Sequence, residues 1–132
     1  LVPFLPPFEV IKQSVDVTTS RGQLVATASY ENLIRMIKLL LLGVEVDDAW
    51  YLEQYPDVAQ AIAEGKVDSA KQHFVDNGYF EGRLPFAVAV DETWYQAEYP
   101  DVAESIRTGT ESSAQDHFNR DGYREGRLPF TM

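Results

Sequence analysis

The chain contains no cysteine. That absence removes disulfides, thiolate zinc sites and cysteine nucleophiles, while leaving the compartment open. Positive charge is scarce too: 11 lysines and arginines face 21 aspartates and glutamates, for a formal net charge of −10. The deficit is uneven. Residues 1–42 hold three acids and four bases, whereas residues 43–132 hold 18 acids and 7 bases. A surface of that sign repels phosphate backbones and anionic membrane faces, so no nucleic acid is expected as a partner. No apolar run approaches the roughly 20 residues of a transmembrane segment. Leu33–Leu42 comes nearest, and Arg35 and Lys38 interrupt it. Also missing are a serine–histidine–acid pattern, a phosphate-binding glycine loop and a metalloprotease helix, so the chain is read as not an enzyme.

What the chain has is a stretch that it contains twice. From Trp50 it runs WYLEQYPDVAQAIAEGKVDSAKQHFVDNGYFEGRLPF, and from Trp94 it runs WYQAEYPDVAESIRTGTESSAQDHFNRDGYREGRLPF. The offset of 44 residues holds without a gap from Gly43–Phe86 onto Ala87–Phe130, with 24 identities in 44 positions. This is a tandem duplication. With 132 residues, 45% of them hydrophobic and 12% aromatic, the chain can bury a core. It divides into an N-terminal region, 1–42, a first repeat, 43–86, and a second, 87–132.

The N-terminal region opens on LVPFLPP, whose prolines forbid a regular helix and favour an apolar extended arm. The stretch lacks the basic start and small-residue cleavage site of a signal peptide. A cytoplasmic location is therefore expected, with export through a preceding segment as the open alternative. Residues 8–28 are β-branched in bias, and Ser20-Arg21-Gly22-Gln23 reads as a hairpin turn. The rival reading makes Ser20 and Gln23 a capping box and runs one long helix to Leu42. From Ser29 a capped helix is expected, ending at Gly43, with Glu31, Arg35 and Lys38 on one polar stripe. That stripe is narrow, so most of the helix must be covered. Leu33, Ile37, Leu40 and Leu41 are the candidate interface with a second copy.

Each repeat begins with an extended Val-x-Val link and a capping aspartate, Asp47 or Asp91. A short helix through Trp50 or Trp94 follows. Pro56 and Pro100 then suit the first position of a second helix, where Asp57 and Asp101 complement its positive end. Ser69 and Ser113 can cap a third helix, anchored inward by Phe74 and Phe118. Gly78 and Gly122 are expected to stop it in a left-handed C-cap. The overall expectation is a mainly α protein: two tandem three-helix repeats stacked on an apolar helix, with an extended arm and a hairpin.

The repeat motif residues are Trp50, Tyr55, Pro56, Asp57, His73, Phe74, Gly78 and Arg83, with Trp94, Tyr99, Pro100, Asp101, His117, Phe118, Gly122 and Arg127 as their counterparts. Nothing gathers around either histidine to complete a zinc site, and both are read as structural. The sequence around Gly78 and Gly122 lacks the alternating oxygens and final glutamate of a calcium loop. No metal or cofactor is expected. Arg83 and Arg127 follow a helix stop and can fold back onto an aspartate or onto helix-end carbonyls.

At these residues the chain resembles a tandem repeat of bacterial proteins, found beside glycosyltransferase domains of surface-polysaccharide systems and in some large secreted proteins. The likeness rests on Asp-x-x-Trp-Tyr-Leu-x-x-Tyr-Pro-Asp-Val-Ala and Ser-Ala-x-x-His-Phe-x-x-x-Gly-Tyr-x-Glu-Gly-Arg, over Val46–Phe86 and Val90–Phe130. Val46 and Val90 stand where phenylalanine is commoner, and Gln96 replaces leucine. The resemblance implies an accessory, non-catalytic module. The expectation is thus a protein–protein interaction or scaffolding module that self-associates through residues 1–42, with a further protein partner. The alternative is a glycan-binding module using Trp50, Tyr51, Tyr55 and their counterparts, which would need those rings exposed.

Overall fold

The computed structural model describes residues 3–132, and the fold is mainly helical. Leu1 and Val2, the first residues of the expected arm, lie outside the described residues. From Pro3 to Pro7 the arm has no regular structure, as its prolines require. It lies on its own chain: the Phe4 N–H donates to the Leu42 carbonyl at 2.9 Å, and Leu5 packs near Gly43.

Residues 8–28 divide in two. A short helix, α1 (Phe8–Lys12), starts directly after Pro7, with Glu9 in its first turn and Lys12 in its last. The β-branched residues Val10 and Ile11 hid it, because proline start and end charges outweigh side-chain bias over so few residues. The hairpin follows as expected, β1 (Asp16–Ser20) against β2 (Gln23–Thr27), antiparallel with Ser20 opposite Gln23. Its two-residue turn takes positive φ at both positions, 52° at Arg21 and 78° at Gly22, the geometry that matches strand twist. Both strands are exposed throughout.

Helix α2 (Tyr30–Leu41) begins at Ser29, whose hydroxyl accepts the Asn32 N–H at 3.1 Å. Its end packs on the first repeat, with Leu41 buried beside Tyr51, Val58 and Phe74. Lys38 lies 3.8 Å from Asp76 and 6.0 Å from the Phe80 ring centre.

The same three helices then occur twice. They are α3 (Asp48–Gln54), α4 (Pro56–Ala63) and α5 (Ala70–His73), then α6 (Glu92–Glu98), α7 (Pro100–Arg107) and α8 (Ala114–His117). Asp47 and Asp91 cap the first of each set, and Ser69 and Ser113 cap the third. Pro56 and Pro100 open the second, where the missing donor costs no bond. The valine links form no ladder, but each is pinned to the end of its own repeat: Asp47 N–H donates to Pro85 and Asp91 N–H to Pro129, both at 3.0 Å.

The expected left-handed stop at Gly78 and Gly122 is not what these glycines do. Helices α5 and α8 instead continue into π-helical turns, Phe74–Gly78 and Phe118–Gly122. Neither glycine has positive φ; in each repeat the left-handed turn comes four residues later, at Gly82 with φ 78° and at Gly126 with φ 80°. The reason for glycine is close approach. A Cβ on Gly78 would lie 2.1 Å from the Tyr51 hydroxyl oxygen, and one on Gly122 would lie 2.2 Å from that of Tyr95.

Candidate functional site

Each repeat holds one polar cluster, and the helix ends place its members. The aspartate cap fixes the first turn of α3 so that Trp50 lies to the side while Tyr51 points inward and is fully buried. α6 does the same with Trp94 and Tyr95. Tyr51 hydroxyl and His73 Nδ1 share a hydrogen bond of 2.8 Å; Tyr95 and His117 share one of 2.9 Å. The other ring nitrogens face Glu81 and Glu125 at 3.8 Å, beyond hydrogen-bond reach.

The arginines fold back onto aspartates. Arg83 donates through both terminal nitrogens to the Asp57 carboxylate at 2.9 and 2.8 Å. Arg127 grips Asp101 in the same fork at 2.9 and 2.7 Å. Each guanidinium also lies over a tyrosine ring, Arg83 at 5.0 Å from Tyr55 and Arg127 at 4.9 Å from Tyr99. Glu81 and Glu125 complete the sets, 3.2 and 3.1 Å from the arginine Nε. The tyrosines in turn accept the N–H of Leu84 and of Leu128, both at 2.8 Å.

The electrostatics follow from these contacts. Hydrogen bonds from Arg83 and Arg127 hold the Asp57 and Asp101 carboxyls below the usual aspartate range. Burial pushes the Tyr51 phenol well up, and it pushes Tyr95 up to about 12. Burial, and after it the Arg83 charge, pulls His73 below the ordinary imidazole value. A phenol raised this far is a poor nucleophile or base near neutrality. Its chemistry here is that of a buried, paired hydroxyl.

A cleft of about 430 Å³ lies beside these residues where the repeats meet. Tyr55, Asp57, Gly82 and Arg83 form one wall, and Asn119, Arg120 and Arg124 the other; Tyr51 and His73 are not part of the lining. Its arginines are already engaged, Arg120 by Glu111 and Asp121, and Arg124 by Asp121. Among the described residues no group of three metal-ligating side chains converges. Trp50 and Trp94 are half-buried and meet Tyr55 and Tyr99 edge-on, with ring centres 6.2 Å apart in both cases.

Of the four α2 residues expected at an interface, Leu33 and Leu40 are exposed, Ile37 is half-buried against the first core, and Leu41 is buried within it. Leu41 therefore belongs to the repeat and is not free for a partner. Sequence reasoning missed the central roles of Tyr51 and Tyr95, because tryptophan's size drew attention to its neighbours. It also missed Lys71, buried with its ammonium donating to the Leu42 carbonyl at 3.1 Å and to that of Val44. Gln115 takes that place in the second repeat and donates to Val88 at 2.8 Å. The paired position, lysine or glutamine, was the signal available. Comparison with protein-family models, curated proteins and solved structures finds no match to this chain.

Proposed function

We propose that this protein is a non-enzymatic interaction or scaffolding module, built of two tandem three-helix repeats with α2 laid against the first, and that it associates with itself through residues 1–42. One contrast carries the reading. The duplicated polar groups are spent within their own repeats, as histidine on tyrosine and arginine on aspartate. The N-terminal region does the opposite, leaving Phe4, Leu5, Phe8, Leu24, Leu33 and Leu40 exposed. Exposed apolar side chains are what an interaction surface would bury, provided they gather into one patch. Joining two copies there also keeps the acidic repeats, with 18 acids to 7 bases, away from each other.

An accessory role beside bacterial surface-polysaccharide synthesis rests on the motif resemblance. The glycan alternative loses its central ring, since Tyr51 and Tyr95 have no exposed surface. Sedimentation at micromolar concentration tests the leading reading. The expected species is a dimer of the 14.9 kDa chain. Leu33→Asp with Leu40→Asp should convert it to monomer while leaving its helical content unchanged, and should remove any dependence of the melting temperature on protein concentration. A compact wild-type monomer would overturn the proposal.

A further inference from the structure

Among the described residues every helix lies against another helix, but β1 and β2 pair with each other and pack on none. The hairpin nevertheless alternates as a covered strand pair would. Its register sets Val17 opposite Ala26 and Thr19 opposite Leu24, and residues two apart share a face. One face is therefore Val17, Thr19, Leu24 and Ala26, and the polar residues Asp16, Thr18, Ser20 and Gln23 lie on the other. The apolar face stands in water, with Val17 45% and Leu24 79% exposed. A lone two-stranded hairpin is marginal in water until further strands or a packed face complete it.

The strand edges are open as well. The two-residue turn closes on Ser20 and Gln23, so hydrogen-bonded pairs recur at alternate positions from there, Thr18 with Val25 and Asp16 with Thr27. The N–H and C=O groups of Val17 and Thr19 consequently point outward from β1, as those of Leu24 and Ala26 do from β2. Natural edges are blunted by lysine, proline or a bulge. Here the register is unbroken, and neither strand holds lysine or proline.

We infer that β1 pairs antiparallel with β1 of a second copy about a twofold axis at Thr18, giving one sheet in the order β2-β1-β1-β2. The inference rests on the self-association proposed above and locates one part of that contact. The geometry is self-complementary. With Thr18 opposite its own copy, Val17 falls opposite the partner's Thr19, so the outward-pointing groups of the two strands meet in register. Opposed residues share a face, so the apolar faces of both hairpins become one. Charge selects this edge. Asp16 and Arg21 are the only charged residues from 16 to 27, and Asp16 comes opposite the partner's Ser20, next to the partner's Arg21. Such an exposed pair adds little to stability, but it favours this direction and register. The same twofold on β2 would set Thr27 opposite the partner's Gln23 and bring no charges together.

Because the chain has no cysteine, single introduced cysteines report the pairing directly. Residues opposed in a non-hydrogen-bonded antiparallel pair have Cα atoms about 4.5 Å apart, within the span of a disulfide. Thr18→Cys should therefore form a disulfide-linked dimer in oxidised glutathione, whereas Val25→Cys, at the matching place on β2, should not. Val17→Pro removes an outward N–H, which an edge strand tolerates, and should weaken association several-fold in sedimentation while leaving helical content unchanged. Asp16→Arg and Arg21→Asp should each weaken association, and the two together should restore it. A wild-type dimer in which Thr18→Cys fails to link, or in which Val25→Cys links as readily, overturns this inference and leaves self-association standing. A wild-type monomer overturns both.

Discussion

At the scale of single residues, the cluster beneath the first helix of each repeat is held by fit more than by charge. Gly78 leaves room for one hydroxyl, that of Tyr51. Gly78→Ala is expected to destabilise the chain by about 1–3 kcal/mol, as overpacking does, and Tyr51→Phe should recover part of that loss by removing the clashing oxygen. Urea denaturation of the two single variants and the double variant measures the coupling; strict additivity would contradict the contact. The same cluster sets a pH dependence. His73 titrates below its ordinary value in the folded chain, while the unfolded chain keeps a value of about 6.5. Between those values the unfolded state binds more protons, so stability is complete above about pH 6.5 and declines as pH falls toward the folded value. The urea midpoint should therefore be lower at pH 5 than at pH 7, and His73→Gln should flatten that decline. Equal slopes in wild type and variant would show that other groups are responsible.

At the scale of elements, local rules were readable wherever the backbone itself imposes them. Ser29, Asp47, Asp91, Ser69 and Ser113 cap the helices expected of them, and Pro56 and Pro100 open theirs. The π-helical turns were not readable. They lie beside a hydrogen bond between Tyr51 and His73, 22 residues apart, and no local pattern announces such a contact. α1 was hidden because five residues carry too little periodicity to outweigh β-branched bias. The hairpin turn was legible from its glycine, yet it places Arg21 at φ 52°, where a non-glycine residue other than asparagine or aspartate is disfavoured. Arg21→Asn should stabilise the hairpin by roughly 0.5–1 kcal/mol. Slower amide exchange across β1 and β2 would register the gain, and faster exchange would refute it.

At the scale of the whole molecule, the duplication was plain in the sequence, but the way its units share residues was not. Leu84 belongs to the first repeat by sequence and to the second core by burial, a displacement that only packing reveals. The acidic balance raises the question of cations, and the fold answers it through pairing: Asp57, Asp101, Glu111 and Asp121 are committed to arginines. Calcium or zinc at micromolar concentration should therefore leave the melting temperature unchanged. A saturable rise of several degrees would mean that a ligand set forms which these pairs do not foreshadow.

The π-helical turn carries a consequence of phase. The Tyr79 N–H donates to the Phe74 carbonyl, five residues back, at 3.0 Å, so this turn contains one residue more than an α-helix would need. Each residue of an α-helix advances the chain by about 100° around its axis. The additional residue therefore works as an angular spacer that aims Glu81 and Arg83 back at His73 and Asp57. Asn77 is exposed, and replacing its side chain with alanine should matter little. Deleting the residue outright would close the turn to ordinary pitch and swing the arginine away from its aspartate. At this position the chain is sensitive to how many residues it has and nearly indifferent to which one it is.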